Sequence, residues 1–289
     1  MYQLFFDSNC EIPHWFAKEN QLGVVRMPYV ICDEEYYYDL GENTDFVDFY
    51  NKERAGNMPT TAALNAQNYV EIYEPTLAEG KDILMISFSS ALSGTHAMLE
   101  QARQELLAKY PERSFDVVNT LSISMGAGLL VYYATKMWKD GATQQEIIKF
   151  VEDNRMRVNH WFSVDDLHHL KRGGRLSGAA AFMGTMLELK PIITVNKEGR
   201  LVVAEKAKGR KRALKTLLEK VNQNIEKPEE QLVVILHADA PEDAKYLEEN
   251  IRATHNPKEM WVNYVGPVVG THCGPGTIAV LFMGKERAQ

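Results

Sequence analysis

Short apolar runs alternate with helix-length segments through the first half of this chain, and that alternation restricts the fold more than any other feature. YQLFFD (2 to 7), DILMISFS (82 to 89) and FDVVNT (115 to 120) are rich in aliphatic and aromatic residues, as expected for strands buried on both faces. Segments 62 to 79, 95 to 109 and 125 to 139 have helical length, and Leu99, Ala102, Leu106 and Leu107 set an apolar stripe on the second. A strand and helix rhythm of this kind implies a layered α/β domain around a parallel sheet.

Past about residue 160 the rhythm changes. HWFSV (160 to 164) leads into DDLHHLKRGGR, then an alanine-rich helix over 178 to 187, then LKPIITV and RLVVAEK, separated by the turn Asn196-Lys-Glu-Gly199 as in a hairpin. A basic helix over 210 to 225, the strand QLVVILHA, a helix over 241 to 253 and two last strands around 270 to 276 complete an α+β domain with a mixed or antiparallel sheet. The length of 289 residues suits two domains, so we expect an N-terminal α/β domain over 1–160 and a C-terminal α+β domain over 161–289, with the boundary near 158 to 162.

Composition removes several function classes. With 32 Lys and Arg against 39 Asp and Glu the formal charge is −7, which argues against a nonspecific grip on nucleic acid. Cys10, Cys32 and Cys273 are few, widely spaced and odd in number, so neither a disulfide framework nor a structural zinc site is expected. Stretches 117 to 135 and 260 to 284 lack charge, but hydroxyl, amide, proline and glycine residues interrupt them, and they read as buried elements around polar loops rather than membrane spans. The first residues have no basic segment ahead of an apolar one, so no secretory signal is expected and the chain reads as cytoplasmic.

Four polar stretches carry the chemistry. Ser87-Phe-Ser-Ser-Ala-Leu-Ser-Gly-Thr95 follows a strand and precedes a helix, where Ser93, Gly94 and Thr95 can converge on a carboxylate or phosphate, or merely cap the helix. Met58-Pro-Thr-Thr61 precedes the helix expected from 62, which makes Thr61 an N-cap candidate. In 269 to 276 three glycines and a proline surround His272 and suggest a tight loop whose imidazole hydrogen-bonds an acid group or neighbouring backbone. In 165 to 177, Asp165 and Asp166 at a helix start and Lys171 and Arg172 at its end suit the helix dipole. The Gly173-Gly174 break then presents Arg175 for a forked contact to an anion. Lys206, Lys208, Arg210, Lys211 and Arg212 form a second basic group that reads first as a solvated face. His168 and His169 diverge on a helix, so joint metal ligation is not expected.

Taken in order, TTAALNAQ (60 to 67), SSALSGT (89 to 95), NTLSISMGAGLLV (119 to 131), FSVDDLHHLKRGGRLS (162 to 177), LKPIITVNKEGRL (189 to 201) and VGPVVGTHCGPGTIAVLF (265 to 282) resemble the DegV family of fatty-acid-binding proteins. The resemblance spans nearly the whole chain, with DDLxxLKRGGRxS and GTHxGPG as its most specific parts. It implies a two-domain α/β protein that buries one long-chain fatty acid and presents it to a fatty acid kinase, carrying the acyl phosphate product without a catalytic site, metal or cofactor of its own. By the same resemblance Thr61, Ser93 and His272 hold the carboxylate, with Gly94, Thr95 and Arg175 at or near it. Arg172 or Arg175, and Arg210, would face the kinase. Where the family commonly has Thr-Ser-Gln, Thr61 is followed by Ala62 and Ala63, and Lys208-Gly209-Arg210 replaces an Arg-x-Arg.

Helices 125 to 133 and 179 to 187, with their Gly, Ala and Met content, are candidate walls of an acyl tunnel. The competing reading is an acyl hydrolase or acyltransferase with Ser93 as nucleophile and His272 as base. It lacks a nucleophile elbow, since Ala91 stands where its first glycine belongs, and it lacks an evident third member.

Overall fold

The structure, a computed structural model, describes residues 1–176 and 189–287; the alanine-rich segment 178 to 187 and Ser177 lie outside the described residues. The chain opens with β1 (Tyr2–Asp7), α1 (His14–Glu19) and β2 (Gly23–Val25), then a small antiparallel unit of β3 (Pro28–Ile31), β4 (Glu34–Tyr37), α2 (Phe46–Arg54) and β5 (Thr60–Thr61). It continues with α3 (Ala66–Ala78), β6 (Asp82–Ser87), α4 (Thr95–Lys109), β7 (Phe115–Asn119), α5 (Ser124–Lys139) and α6 (Gln144–Asn154). Strands β2, β1, β6 and β7 lie side by side in that order, all parallel, as the apolar runs lead one to expect. Leu84, Met85 and Ile86 are successive and all buried, which requires cover on both faces of the sheet.

The second half adds β8 (Val158–Ser163), α7 (His168–Arg172), β9 (Leu189–Val195), β10 (Leu201–Lys208), α8 (Gly209–Asn224), β11 (Leu232–His237), α9 (Pro241–His255), β12 (Glu259–Tyr264), α10 (Pro267–Cys273) and β13 (Ile278–Met283). Its sheet has the order β10-β9-β8-β13-β11-β12, antiparallel except for the β11 and β12 pair. Side chains alternate across it. Val280 and Phe282 of β13 join Leu217 of α8 and Leu247 of α9 on one face, whereas Leu281 belongs to a core that begins at Leu4 and runs through the first half. The inner face of the mixed sheet therefore packs toward the parallel sheet. Among the described residues no helix is long and apolar enough to cross a membrane.

Two local expectations are corrected. Thr61 is not an N-cap: it sits in β5 paired with Tyr29, and α3 starts only at Ala66. The start is set by a reciprocal capping box, in which Asn65 Oδ1 accepts from the Asn68 N–H (2.9 Å) and Asn68 Oδ1 from the Asn65 N–H (3.1 Å). The tight loop expected over 269 to 276 is largely helical. Pro267 follows the N-cap Gly266 and Gly274 takes a φ of 77° just past the end, the pattern that starts and stops a short helix, so His272 rides on the last turn of α10.

Candidate functional site

A cavity of about 290 Å³ opens between the carboxyl edge of the parallel sheet and the inner face of the mixed sheet. Crevices at the carboxyl ends of parallel strands are common ligand sites because loops and helix starts meet there. Thr61, Ser93, Gly94, Thr95, Arg175 and His272 all line this one cavity, although they come from four separate parts of the chain. Most of the remaining wall is apolar, with Met27 and Phe88 from the first half and Phe162, Leu201, Val268 and Leu281 from the second.

Thr61, Ser93, Gly94, Thr95, Arg175 and His272 are partly or fully exposed and so mark the mouth, whereas Asn9, Ser124 and His160 lie on the buried wall. Thr61 Oγ1 lies 3.0 Å from His272 Nε2, and Ser93 Oγ lies 3.0 Å from Thr95 Oγ1 and accepts from the Thr95 N–H at 3.4 Å. Gly94, the N-cap of α4, has no side chain to cap that helix start, and it lines the cavity between Ser93 and Thr95. Arg175 Nε donates to the Leu92 carbonyl (3.2 Å) and another of its N–H groups donates to the Gly173 carbonyl, tying the Ser93 loop to the end of α7. Gly173 is needed at that place: a Cβ there would run into His272 Nδ1. Thr61, Ser93, Thr95, Arg175 and His272 are each half-buried, and Ala62 and Ala63 beside them are exposed.

Burial, followed by the nearby Arg175 and Arg172 charges, lowers the His272 pKa from 6.5 to about 4. The imidazole is therefore neutral at pH 7, and its Nδ1 is buried with no hydrogen-bond partner. A neutral ring, the hydroxyls of Thr61, Ser93 and Thr95 and one guanidinium form a polar end on a largely apolar cavity. Such an end can hold an anion whose tail is apolar.

Other sequence candidates lie elsewhere. Arg172 is exposed, with NH1 2.9 Å from Met58 Sδ and NH2 3.3 Å from His169 Nδ1. Arg210 donates from Nε to Asp243 Oδ2 (2.7 Å) and lies 3.4 Å from Asp165, in a separate depression that also contains Arg54 and Lys190. Of the basic residues proposed near the anion, only Arg175 lines the cavity. The expected wall from 125 to 133 is also corrected: Met125, Leu129 and Leu130 are fully buried in the core, and α5 contributes only its first residue, Ser124. The other expected wall, 179 to 187, lies outside the described residues.

No bond joins Ser93 to His272 among the described residues, since each has a different partner. A serine and histidine pair does exist at Ser87 and His96 (2.9 Å), but Ser87 is buried and donates its proton to the Val118 carbonyl, so it is a strand-end tie. His168 pairs with Asp166 and His169 with Glu53, and no cluster with metal-ligand spacing occurs among the described residues. The sequence reading missed Asn9 and His160 on the cavity wall; a histidine inside an apolar strand run, as at 160, was the available signal.

A family model described as "Uncharacterised protein, DegV family" matches residues 1–285. A DegV domain-containing protein of Clostridium perfringens is 42% identical over 286 residues, covering 99% of this chain and 98% of its own. Among solved structures, a fatty-acid-binding DegV family protein from Thermus thermophilus superposes with a TM-score of 0.86 at 30% identity, covering 98% of this chain and 99% of that one. DegV of Bacillus subtilis, a fatty acid binding protein, superposes with a TM-score of 0.83 at 28% identity and the same coverage.

Proposed function

This chain belongs to the DegV family, and from that premise we propose that it is a carrier that binds one long-chain fatty acid and has no catalytic site of its own. The tail lies against Phe88, Phe162, Leu201 and Leu281, and the carboxylate is held by Thr61, Ser93 and His272 with Gly94, Thr95 and Arg175 around it. One observation carries this reading: residues spread from 61 to 272 in the sequence meet at one end of a single apolar cavity, where they supply donors and neutral hydroxyls but no aligned nucleophile and base. The fatty-acid binding of the Thermus thermophilus and Bacillus subtilis relatives supports it.

The energetics suit a carrier. Burying an aliphatic chain contributes roughly 0.8 kcal/mol per methylene, so about 15 methylenes offer on the order of 12 kcal/mol before ordering costs. The head site then fixes orientation, because a desolvated carboxylate is costly without several donors. A half-buried mouth leaves the carboxylate oxygen within reach of a second protein. On that ground the carrier presents its acid to a fatty acid kinase for conversion to acyl phosphate, with Arg172, Arg175 and Arg210 facing the kinase. We keep 1–160 and 161–289 as the two domains of this carrier and a cytoplasmic setting as its place of action.

Mass spectrometry of lipid extracted from the purified full chain tests the binding. Saturated or unsaturated acids of about 14 to 18 carbons at near-unit stoichiometry are expected. Purified protein that neither carries such acids nor takes them up when they are added would overturn the reading.

A further inference from the structure

The cavity is not apolar throughout. Its wall includes Asn9, Ser124 and His160, which the carboxylate site does not use. Asn9 is 7% exposed and its Oδ1 is buried without a hydrogen-bond partner. His160 is 1% exposed, and its Nε2 accepts from the Ile123 N–H (3.3 Å), which leaves Nδ1 as the protonated nitrogen of a neutral ring. Burial, and then the Arg287 charge, holds that ring well below its ordinary pKa. Nδ1 is buried and has no well-formed hydrogen bond among the described residues, the Val158 carbonyl of its own strand being a weak neighbour of the ring. Ser124 donates its proton to Glu11 and keeps lone pairs to accept with.

Two rulers place this group away from the carboxylate. His272 lies in the last turn of α10, while Gly266 at the other end gives its N–H to Glu11 (2.5 Å), the residue bonded to Ser124. Six residues of helix separate the two ends by about 9 Å. Thr277 hydrogen-bonds the Cys273 carbonyl beside His272, and the strand that follows brings Leu281 opposite His160, about 13 Å further at strand rise. Val265, Val268, Phe162 and Ala279 fill the wall between.

A plain methylene chain passing Asn9 leaves an amide unmatched in a water-poor cavity, which costs binding free energy. A hydroxyl both donates and accepts, so one such group satisfies Asn9 Oδ1 and takes a proton from a neighbouring donor. A ketone only accepts and leaves Asn9 Oδ1 unmatched. We infer that the cavity holds an inner polar subsite, centred on Asn9 and completed by His160 and Ser124, that takes long-chain acids bearing one hydroxyl near the middle of the chain. This rests on the fatty-acid-carrier reading and names its preferred ligand class.

Calorimetric titration of the delipidated full chain with stearic acid, a positional series of monohydroxystearic acids and the matching ketones tests it. One mid-chain hydroxy isomer should bind at least as tightly as stearic acid, and its ketone at least tenfold more weakly. In Asn9→Leu the affinity ratio of that isomer to stearic acid should shift at least tenfold toward stearic acid, and His160→Phe should shift it in the same direction. The readout is a ratio within each protein, and the wild-type series stands alone should either variant fold poorly. Hydroxylation that weakens binding tenfold or more at every position, or a ratio unmoved in both variants, would overturn the subsite while leaving the carrier reading intact. If stearic acid itself does not bind, the carrier reading fails and takes the subsite with it.

Discussion

Thr61 Oγ1 and His272 Nε2 stand 3.0 Å apart across 211 residues of sequence, and the pair joins the small antiparallel unit to α10 at the mouth of the cavity. Thr61 is fixed by the pairing of β5 with Tyr29, and His272 by the last turn of a helix whose side is pressed against Gly173. Each side chain is therefore held in place by its own element, which is the preorganisation that the proposed carboxylate site requires.

Thr61→Val and His272→Ala should each weaken fatty-acid binding by roughly tenfold to a hundredfold, the loss of one hydrogen bond to a charged group at about 1.5–3 kcal/mol. Because the two side chains bond each other, the double variant should lose less than the sum of the two. Calorimetry of the four proteins with palmitic acid decides it, and strictly additive losses would mean that the pair does not act together.

Much of this arrangement was legible and some was not. The parallel sheet follows from runs such as 82 to 89, because a strand buried on both faces keeps its polar residues to its ends. The six cavity residues stand out loop by loop, but nothing in the spacing of Thr61, Ser93 and His272 brings them together; the motif resemblance implies one site, and the packing of the two sheets assembles it. The segment from 8 to 57 carries no clear apolar period that would reveal elements such as the exposed strand Glu34–Tyr37. Asn9 and Ser124 escaped notice because burial, not residue type, makes them unusual, and burial there depends on the second half of the chain.

Gly173→Ala should weaken acid binding at least tenfold and destabilise the fold by about 1–3 kcal/mol, because its methyl group would occupy the place of His272 Nδ1. At Gly174 a Cβ meets open space and only the φ of 67° resists it, so Gly174→Ala should cost about 1 kcal/mol and leave binding near wild type. Thermal unfolding and calorimetry on the two neighbours separate a steric effect at the site from a backbone effect beside it.

Arg175 and Arg210 should part company. Arg175→Ala cuts the tie between the Leu92 carbonyl and the Gly173 carbonyl and loosens the Ser93 loop, so both binding and phosphorylation of the bound acid should fall. Among the described residues Arg210→Ala breaks the Asp243 and Asp165 pairs, which lie outside the cavity, so binding should persist while kinase-dependent phosphorylation drops. Equal phosphorylation of wild type and Arg210→Ala would remove Arg210 from the kinase face.

His272 predicts an acid-side loss of stability. Unfolded, its imidazole takes a proton near pH 6.5; folded, only near pH 4. Between those values the unfolded chain binds more protons, so stability falls as pH drops from about 6.5 to 4 and levels off below, by on the order of 3 kcal/mol. His272→Gln should flatten that limb of the urea-unfolding profile; an unchanged limb would assign it to other groups.

Glu11 predicts the opposite slope on the alkaline side. It is buried, receives the Gly266 N–H at one oxygen and the Ser124 hydroxyl at the other, and so joins the starts of α10 and α5. Burial outweighs both hydrogen bonds and raises its pKa from 4.5 to about 8. The folded chain then keeps a proton that the unfolded chain has released, so the associated stability is full below about pH 4.5 and is lost as pH rises toward 8. Asp7, raised to about 6 by the same cause, adds to the lower part of that window. Glu11→Gln keeps an acceptor for the Gly266 N–H but cannot ionise, so it should lose little stability at pH 5 and exceed wild type by a few kcal/mol at pH 9. Urea unfolding of both proteins from pH 5 to 9 measures this, and parallel profiles would show that Glu11 does not titrate across that range.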